Sequence, residues 1–241
     1  MIRNAAKGVP DKQDAENTKE AQSTQRRTFI FDGHQNRHVE ATVITYLWAA
    51  IFLATLIWSG IDPKDQFTWF LEVIPAIIGA AVLLFTYRSF RLTPLVYALI
   101  LIHCIILMVG GHYTYAEVPL FDYLKEVFDF SRNNYDKVGH FAQGFVPALI
   151  ARELIIRKKI IIGSRWQTFF IISFCLGFSA FYELIEWWVA IATGEDAEAF
   201  LGTQGYLWDT QSDMGFALLG AVASLISMSR LHDKQLAHLP G

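Results

Sequence analysis

The chain has 241 residues, a net charge of −3, and 53% apolar residues against only 18% charged ones. Counted with glycine and without tyrosine, the apolar share is about 56%, above the roughly 45–50% of soluble domains. This composition excludes a disordered protein, a disulfide scaffold and an ordinary soluble enzyme, and the lack of a basic footprint argues against a nucleic-acid partner.

Charge is unevenly placed: 13 of the 43 charged side chains lie in the first 40 residues. Residues 1–28 are polar, mixed in charge and poor in aromatics. Such a segment buries too little apolar surface to offset its ordering entropy, so it is expected to be a disordered tail. Six apolar segments follow, at 39–58, 70–87, 95–111, 138–156, 168–192 and 208–228. Each has about the 17–25 residues that carry a helix across a hydrocarbon core of about 30 Å. In lipid the backbone must satisfy its own hydrogen bonds, which makes each segment a helix. The expected fold is all-α, a polytopic membrane protein of six transmembrane helices spanning 29–232, with a C-terminal tail from 233 to 241. Cys104 and Cys175 sit in apolar runs and read as buried thiols.

Sixteen of the 20 Lys and Arg residues fall on one side of this topology: the tail, then Arg88, Arg91, Arg152, Arg157, Lys158, Lys159, Arg165, Arg230 and Lys234. Four fall on the other, Lys64, Lys125, Arg132 and Lys137. Both termini are therefore expected in the cytoplasm. Between the third and fourth segments, Leu120, Leu124, Val127 and Phe128 form a helical apolar stripe. The stripe suits a helix on the outer membrane surface, or equally a lid packed on the bundle. The loop 194–207 carries Glu195, Asp196 and Glu198 and no Lys or Arg, the pattern of a solvated loop.

Polar residues inside the segments fall at one depth. At about 1.5 Å per residue, Glu183 and Glu186 in the fifth segment lie roughly 8 and 3 Å below the outer face. Asp209 and Asp213 in the sixth lie at about 3 and 9 Å, and His140 in the fourth at about 3–5 Å. His112 ends the third segment about 5 Å from that face. Glu183 and Glu186 share a helix face, as do Asp209 and Asp213. Asp209 also suits a helix cap. Glu72 is expected in the headgroups, and His103, nine residues from His112, is expected to point away from the layer.

Buried carboxylates need neutralising by protons, histidines or a bound cation, since no Lys or Arg lies in the fifth and sixth segments at this depth. The expected metal ligands are His140, Glu183 and Asp213. Glu186 and Asp209 are expected as further ligands or general base, and His112 as a completing or proton-shuttling group. This donor set suits Zn²⁺, Mn²⁺, Mg²⁺ or Fe²⁺. Three readings follow: a metal-dependent enzyme acting on a lipid or lipid-linked envelope substrate, a proton-coupled transporter, or an envelope protein whose acids lock helix packing. Facing of the layer requires the small residues of the fourth and sixth segments, Gly144 and Gly220, to pack together.

The stretches GGHYTYAEVPL (110–120), YDKVGHFAQGFVPALIAREL (135–154), SAFYELIEWW (179–188) and EAFLGTQGYLWDTQSDM (198–214) resemble the YjdF-like family of bacterial inner-membrane proteins. The resemblance implies an integral protein of the bacterial inner membrane and supplies no reaction. A fainter similarity is to VanZ-like membrane proteins, on Asp136, Lys137, His140, Phe141, Glu183 or Glu186, and Asp209 and Asp213 before Gly220 and Ala221. It departs at Asp213, where that family has Asn, and at Phe216, where Gly is usual.

Overall fold

The computed structural model describes residues 42–194 and 198–239, so the expected tail at 1–28 and residues Glu195 and Asp196 of the acidic loop lie outside the described residues. Among the described residues every regular element is helical. They are α1 (Thr42–Ser59), α2 (Gln66–Thr86), α3 (Pro94–Tyr113), α4 (Pro119–Phe128), α5 (Tyr135–Arg157), α6 (Ser164–Thr193), α7 (Glu198–Leu201) and α8 (Asp209–Leu236). The chain divides into two units at Ala50 and Ile51, within α1. Residues 42–50, the described part of the first, are helical; the remaining elements belong to the second.

Five helices, α1, α2, α3, α6 and α8, are long and apolar enough to cross a membrane. The protein is thus an all-helical polytopic membrane protein. α5 has 23 residues, enough length for a crossing, but it carries Asp136, Lys137, His140, Arg152, Glu153 and Arg157. Its surroundings explain how it keeps them. It packs against α3, α6 and α8, and more than half of its residues are buried. It is the helix least in need of an apolar surface toward lipid, since protein covers it.

The α5–α8 packing is set by two glycines. A Cβ at Gly144 would stand 1.7 Å from the Ala217 carbonyl oxygen, and one at Gly220 would stand 2.1 Å from that of Phe141. Each backbone therefore lies directly on the other, as the small-residue pairing anticipates. At the end of α3, Thr114 and Tyr115 both have positive φ, 61° and 53°. They turn the Tyr115 ring back over Gly110, where a Cβ would meet it at 2.1 Å.

α8 runs to Leu236, two turns past the expected end near 228, because His232 and Gln235 have partners inside the protein. Cys104 and Cys175 are free and buried.

Candidate functional site

The site is built from the first turns of α5 outward. Asp136, Lys137, His140 and Gln143 follow one another along one side of α5, all buried. The close glycine contact brings α8 alongside, delivering Asp209 and Asp213 one turn apart, both buried. α6 supplies Glu183 and, a turn later, the half-buried Glu186. α2 supplies Glu72, because Gly111 of α3 lets the Glu72 Cβ approach to 3.1 Å of where a Gly111 Cβ would stand. Glu72 sits beside the hydroxyls of Tyr115 and Tyr182. Burial holds the Tyr115 phenol well above its usual ionisation range, so it remains a donor.

His140 is the centre, and its two ring nitrogens face different chemistry. Nε2 lies 3.2 Å from Asp136 Oδ1 and 3.8 Å from Asp213 Oδ1. On that side Lys137 Nζ reaches Asp136 at 3.2 Å, Asp209 at 2.8 Å and Asp213 at 2.5 Å. Arg132 donates to Asp209 through Nη1, and through Nη2 to Asp136 at 3.2 Å and the Gly202 carbonyl at 3.0 Å. The Tyr206 ring covers both cations, 5.7 Å from the Arg132 guanidinium and 5.8 Å from Lys137 Nζ. Three carboxylates thus meet two fixed cations and an imidazole N–H, so most of the charge on the Nε2 side is balanced within the protein.

The Nδ1 side is different. Nδ1 lies 3.1 Å from Gln143 Oε1, an acceptor, and 3.9 Å from Glu183 Oε1. His140, Glu183 and Glu186 offer ligand atoms that all lie within 4.8 Å of one another. Glu183 Oε1 is buried and has no hydrogen-bond partner. Among the described residues no Lys or Arg pairs with Glu183 or Glu186 on this side, nor with Glu72 elsewhere in the layer.

The anticipated layer therefore exists, with His140, Glu183, Glu186, Asp209 and Asp213 in it, but its wiring differs from the expectation in five respects. The trio His140, Glu183 and Asp213 divides across the imidazole, since Asp213 groups with Asp136 at Nε2 and Glu183 groups with Glu186 at Nδ1. Much of the counter-charge is built in. Lys137 and Arg132 enter from the start of α5, a helix that carries its own acid, and the long lysine stem reaches down to Asp213. Asp209 does not cap α8; Trp208 holds the cap position without a side-chain bond, and Asp209 pairs with Arg132 and Lys137. Glu72 is buried in the layer rather than placed in headgroups. His112 stands apart, bonding through Nδ1 to the Ser59 carbonyl at 3.1 Å and packing on Trp58 at 4.7 Å. His103, half a helical turn round from it, is the α3 histidine within electrostatic range of His140.

A second polar cluster, which the sequence reading did not single out, lies at the other end of α5. Glu153 and His232 are fully buried and joined at 3.0 Å. Glu153 also accepts from Thr93 N and Oγ1 and from Arg157. His232 Nδ1 faces Arg152 Nη1 at 3.1 Å. An arginine only donates, so Nδ1 is bare and Nε2 carries the proton toward Glu153. All its polar ends are partnered, and it ties the starts of α3 and the ends of α5 and α8 together.

Comparison with known proteins places the chain. The family described as "Predicted membrane protein (DUF2238)" matches residues 44–234, which covers every segment that builds the site. The chain belongs to this family. The inner membrane protein YjdF of Escherichia coli (strain K12) is 53% identical to it over 181 residues, covering 75% of this chain and 87% of the relative. No solved structure matches. The YjdF-like resemblance is thereby established, and with it a multi-pass protein of the bacterial inner membrane; neither match extends to the VanZ-like proteins.

Proposed function

We propose that the chain is a six-span protein with both termini in the cytoplasm, whose polar cluster near the outer face binds a divalent cation and acts on a lipid or lipid-linked envelope substrate. The observation that carries the reading is the Nδ1 side of His140, where Glu183 and Glu186 converge with one glutamate oxygen buried and unpartnered. His140, Glu183 and Glu186 are the ligands in this reading. Asp136 accepts the Nε2 proton, and a cation would take the Nδ1 lone pair in place of the proton that Nδ1 shares with Gln143 Oε1. Zn²⁺, Mn²⁺, Mg²⁺ and Fe²⁺ all accept this donor set. A cation held there would supply a Lewis acid able to lower the pKa of a bound water, and Glu72, buried in the same layer, would be a carboxyl able to accept its proton.

The ion pairs on the Nε2 side favour a second reading, in which the acids lock helix packing and Glu183 and Glu186 carry protons. Elemental analysis of freshly purified protein separates the two. The metal reading expects a stoichiometric divalent metal in wild type, its loss in Glu183→Gln, and its retention in Asp213→Asn. Wild type that holds none, and takes up none of the four ions by calorimetry, overturns it. Transport is the reading least supported, since Ala148, Ala151, Ile171, Cys175 and Ala221 form an apolar core between the two polar clusters.

A further inference from the structure

α4 is a ten-residue helix, about 15 Å long at 1.5 Å per residue, half of what a crossing needs. It joins the end of α3 to the start of α5, so it lies at the membrane end that holds the His140 cluster. At 100° per residue its side chains sort cleanly. Leu120, Phe121, Tyr123, Leu124, Val127 and Phe128 share one side, and Asp122, Lys125, Glu126 and the C-cap Asp129 share the other. Most of the apolar side is free: Leu120, Tyr123, Val127 and Phe128 are each more than half exposed, while Phe121 at its edge packs on Tyr135 at 5.2 Å. The polar side is the one held, since Asp122 Oδ1 accepts from Asn133 Nδ2 at 2.9 Å. The same Asn133 amide donates to the Val118 carbonyl at 3.1 Å, at the N-cap of α4.

A lid packed on the bundle would bury its whole apolar side, whereas four of the six apolar side chains stay exposed here. We infer that α4 is seated apolar side down in the lipid leaflet at the end of the membrane that carries the His140 cluster. The occupant is bilayer lipid because the surface at this end is already of that kind. Trp187 and Trp188 near the end of α6, and Tyr206, Leu207 and Trp208 before α8, are exposed there in an aromatic belt of the sort that marks a membrane interface. The α4 face extends that belt.

Seating α4 has a consequence for the cluster. Asn133 is fully buried and follows Arg132 directly. Its backbone N–H donates to Gln204 Oε1 at 3.0 Å, and its carbonyl accepts from Gln204 Nε2 at 2.9 Å. One asparagine thus ties the lipid-seated helix to the loop that lays Tyr206 over Arg132 and Lys137. The cluster is held at the depth of the leaflet beside it, where amphiphiles approach in the membrane plane. The inference holds whether or not the cluster binds a cation.

The test places single cysteines at Val127 and at Glu126 in the full chain, with Cys104 and Cys175 replaced by alanine, labels them with an environment-sensitive fluorophore, and reconstitutes them in phosphatidylethanolamine–phosphatidylglycerol nanodiscs. The Val127→Cys probe should be quenched several-fold more by lipid carrying a shallow nitroxide than by aqueous iodide, and the Glu126→Cys probe the reverse. Equal iodide quenching at both positions overturns the proposal, as it leaves α4 in water. Shielding of Val127→Cys from both quenchers overturns it too, as it shows a second copy or another protein on that face. If one variant misfolds, Tyr123→Cys reads the same side of the helix.

Discussion

At the residue scale the cluster depends on how its charges are shared. Asp136, Asp209 and Asp213 all contact Lys137 Nζ, so one ammonium serves three carboxylates in a water-poor site. Replacing it by the near-isosteric methionine leaves buried carboxylates short of their cation, a change that costs about 3–5 kcal/mol when one partner of a buried pair is removed. Lys137→Met should therefore lower the melting temperature in detergent strongly, measured on intrinsic tryptophan fluorescence. Lys137→Met combined with Asp213→Asn should recover part of the loss, because it removes one stranded charge. A melting temperature unchanged in Lys137→Met would show that these acids are neutral in the folded protein. The acids and His140 were legible in the sequence because ionisable groups in apolar helices are conspicuous and a fixed rise per residue gives their depth. Their cations were not, because a long lysine side chain acts a turn or more away from its own backbone. The α3 histidines failed for another reason. Rise and phase showed that His103 and His112 point opposite ways, but which of them faces α5 depends on the rotation of α3, which periodicity alone leaves free in an evenly apolar helix.

At the element scale, the bundle turns on the crossing of α5 and α8. The two close contacts at Gly144 and Gly220 are backbone against backbone, so neither neighbour can swing aside as a side-chain tip would. Gly144→Ala and Gly220→Ala should each push the helices apart by an ångström or more and unmake the cluster above them, with loss of folded protein in size-exclusion chromatography. Gly177→Ala and Gly215→Ala serve as controls, because nothing lies within 4 Å of a Cβ at either position. They should fold normally, and at these helical sites alanine gains roughly 0.5–1 kcal/mol over glycine. Folding of Gly144→Ala at wild-type yield would refute the packing described. This crossing was legible from Gly144 and Gly220, since small residues on facing segments have few other uses in lipid. The direction of α4 was not, because an amphipathic stripe specifies a face and leaves open what the face meets. The contact of Asp122 with Asn133 shows which side of α4 is tied to the protein and supports the seating inferred above.

At the scale of the whole molecule, α5 carries a polar cluster at each end. His140 and Glu153 stand 13 residues apart, about 20 Å along the helix. The alanine-rich core between them keeps the two ends chemically separate. The second end was hidden in the sequence because Glu153 and His232 sit where the basic flanks begin, and a charge there reads as a headgroup contact. Its surroundings in turn bear on orientation. Arg88, Arg91, Arg152, Arg157, Lys158, Lys159, Arg165, Arg230 and Lys234 all cluster near the Glu153 end by position along their helices, while the His140 end has only Lys64, Lys125, Arg132 and Lys137. Of those four, Arg132 and Lys137 are spent on buried aspartates, and Lys64 pairs with Glu117 at 2.8 Å, which holds its ammonium above the usual range. The free positive charge is thus even more one-sided than the count of residues, which supports the proposed orientation with the Glu153 end toward the cytoplasm. In the six-span topology proposed above, α5 is the remaining crossing. Single cysteines at the exposed positions Ser131 and Gly205 should then react with a membrane-impermeant maleimide added to intact spheroplasts, and one at the exposed Lys159 only after lysis. Labelling of Lys159→Cys in intact spheroplasts would invert the protein and put the His140 cluster on the cytoplasmic side. Labelling of Ser131→Cys and Lys159→Cys from the same side would show that α5 does not cross.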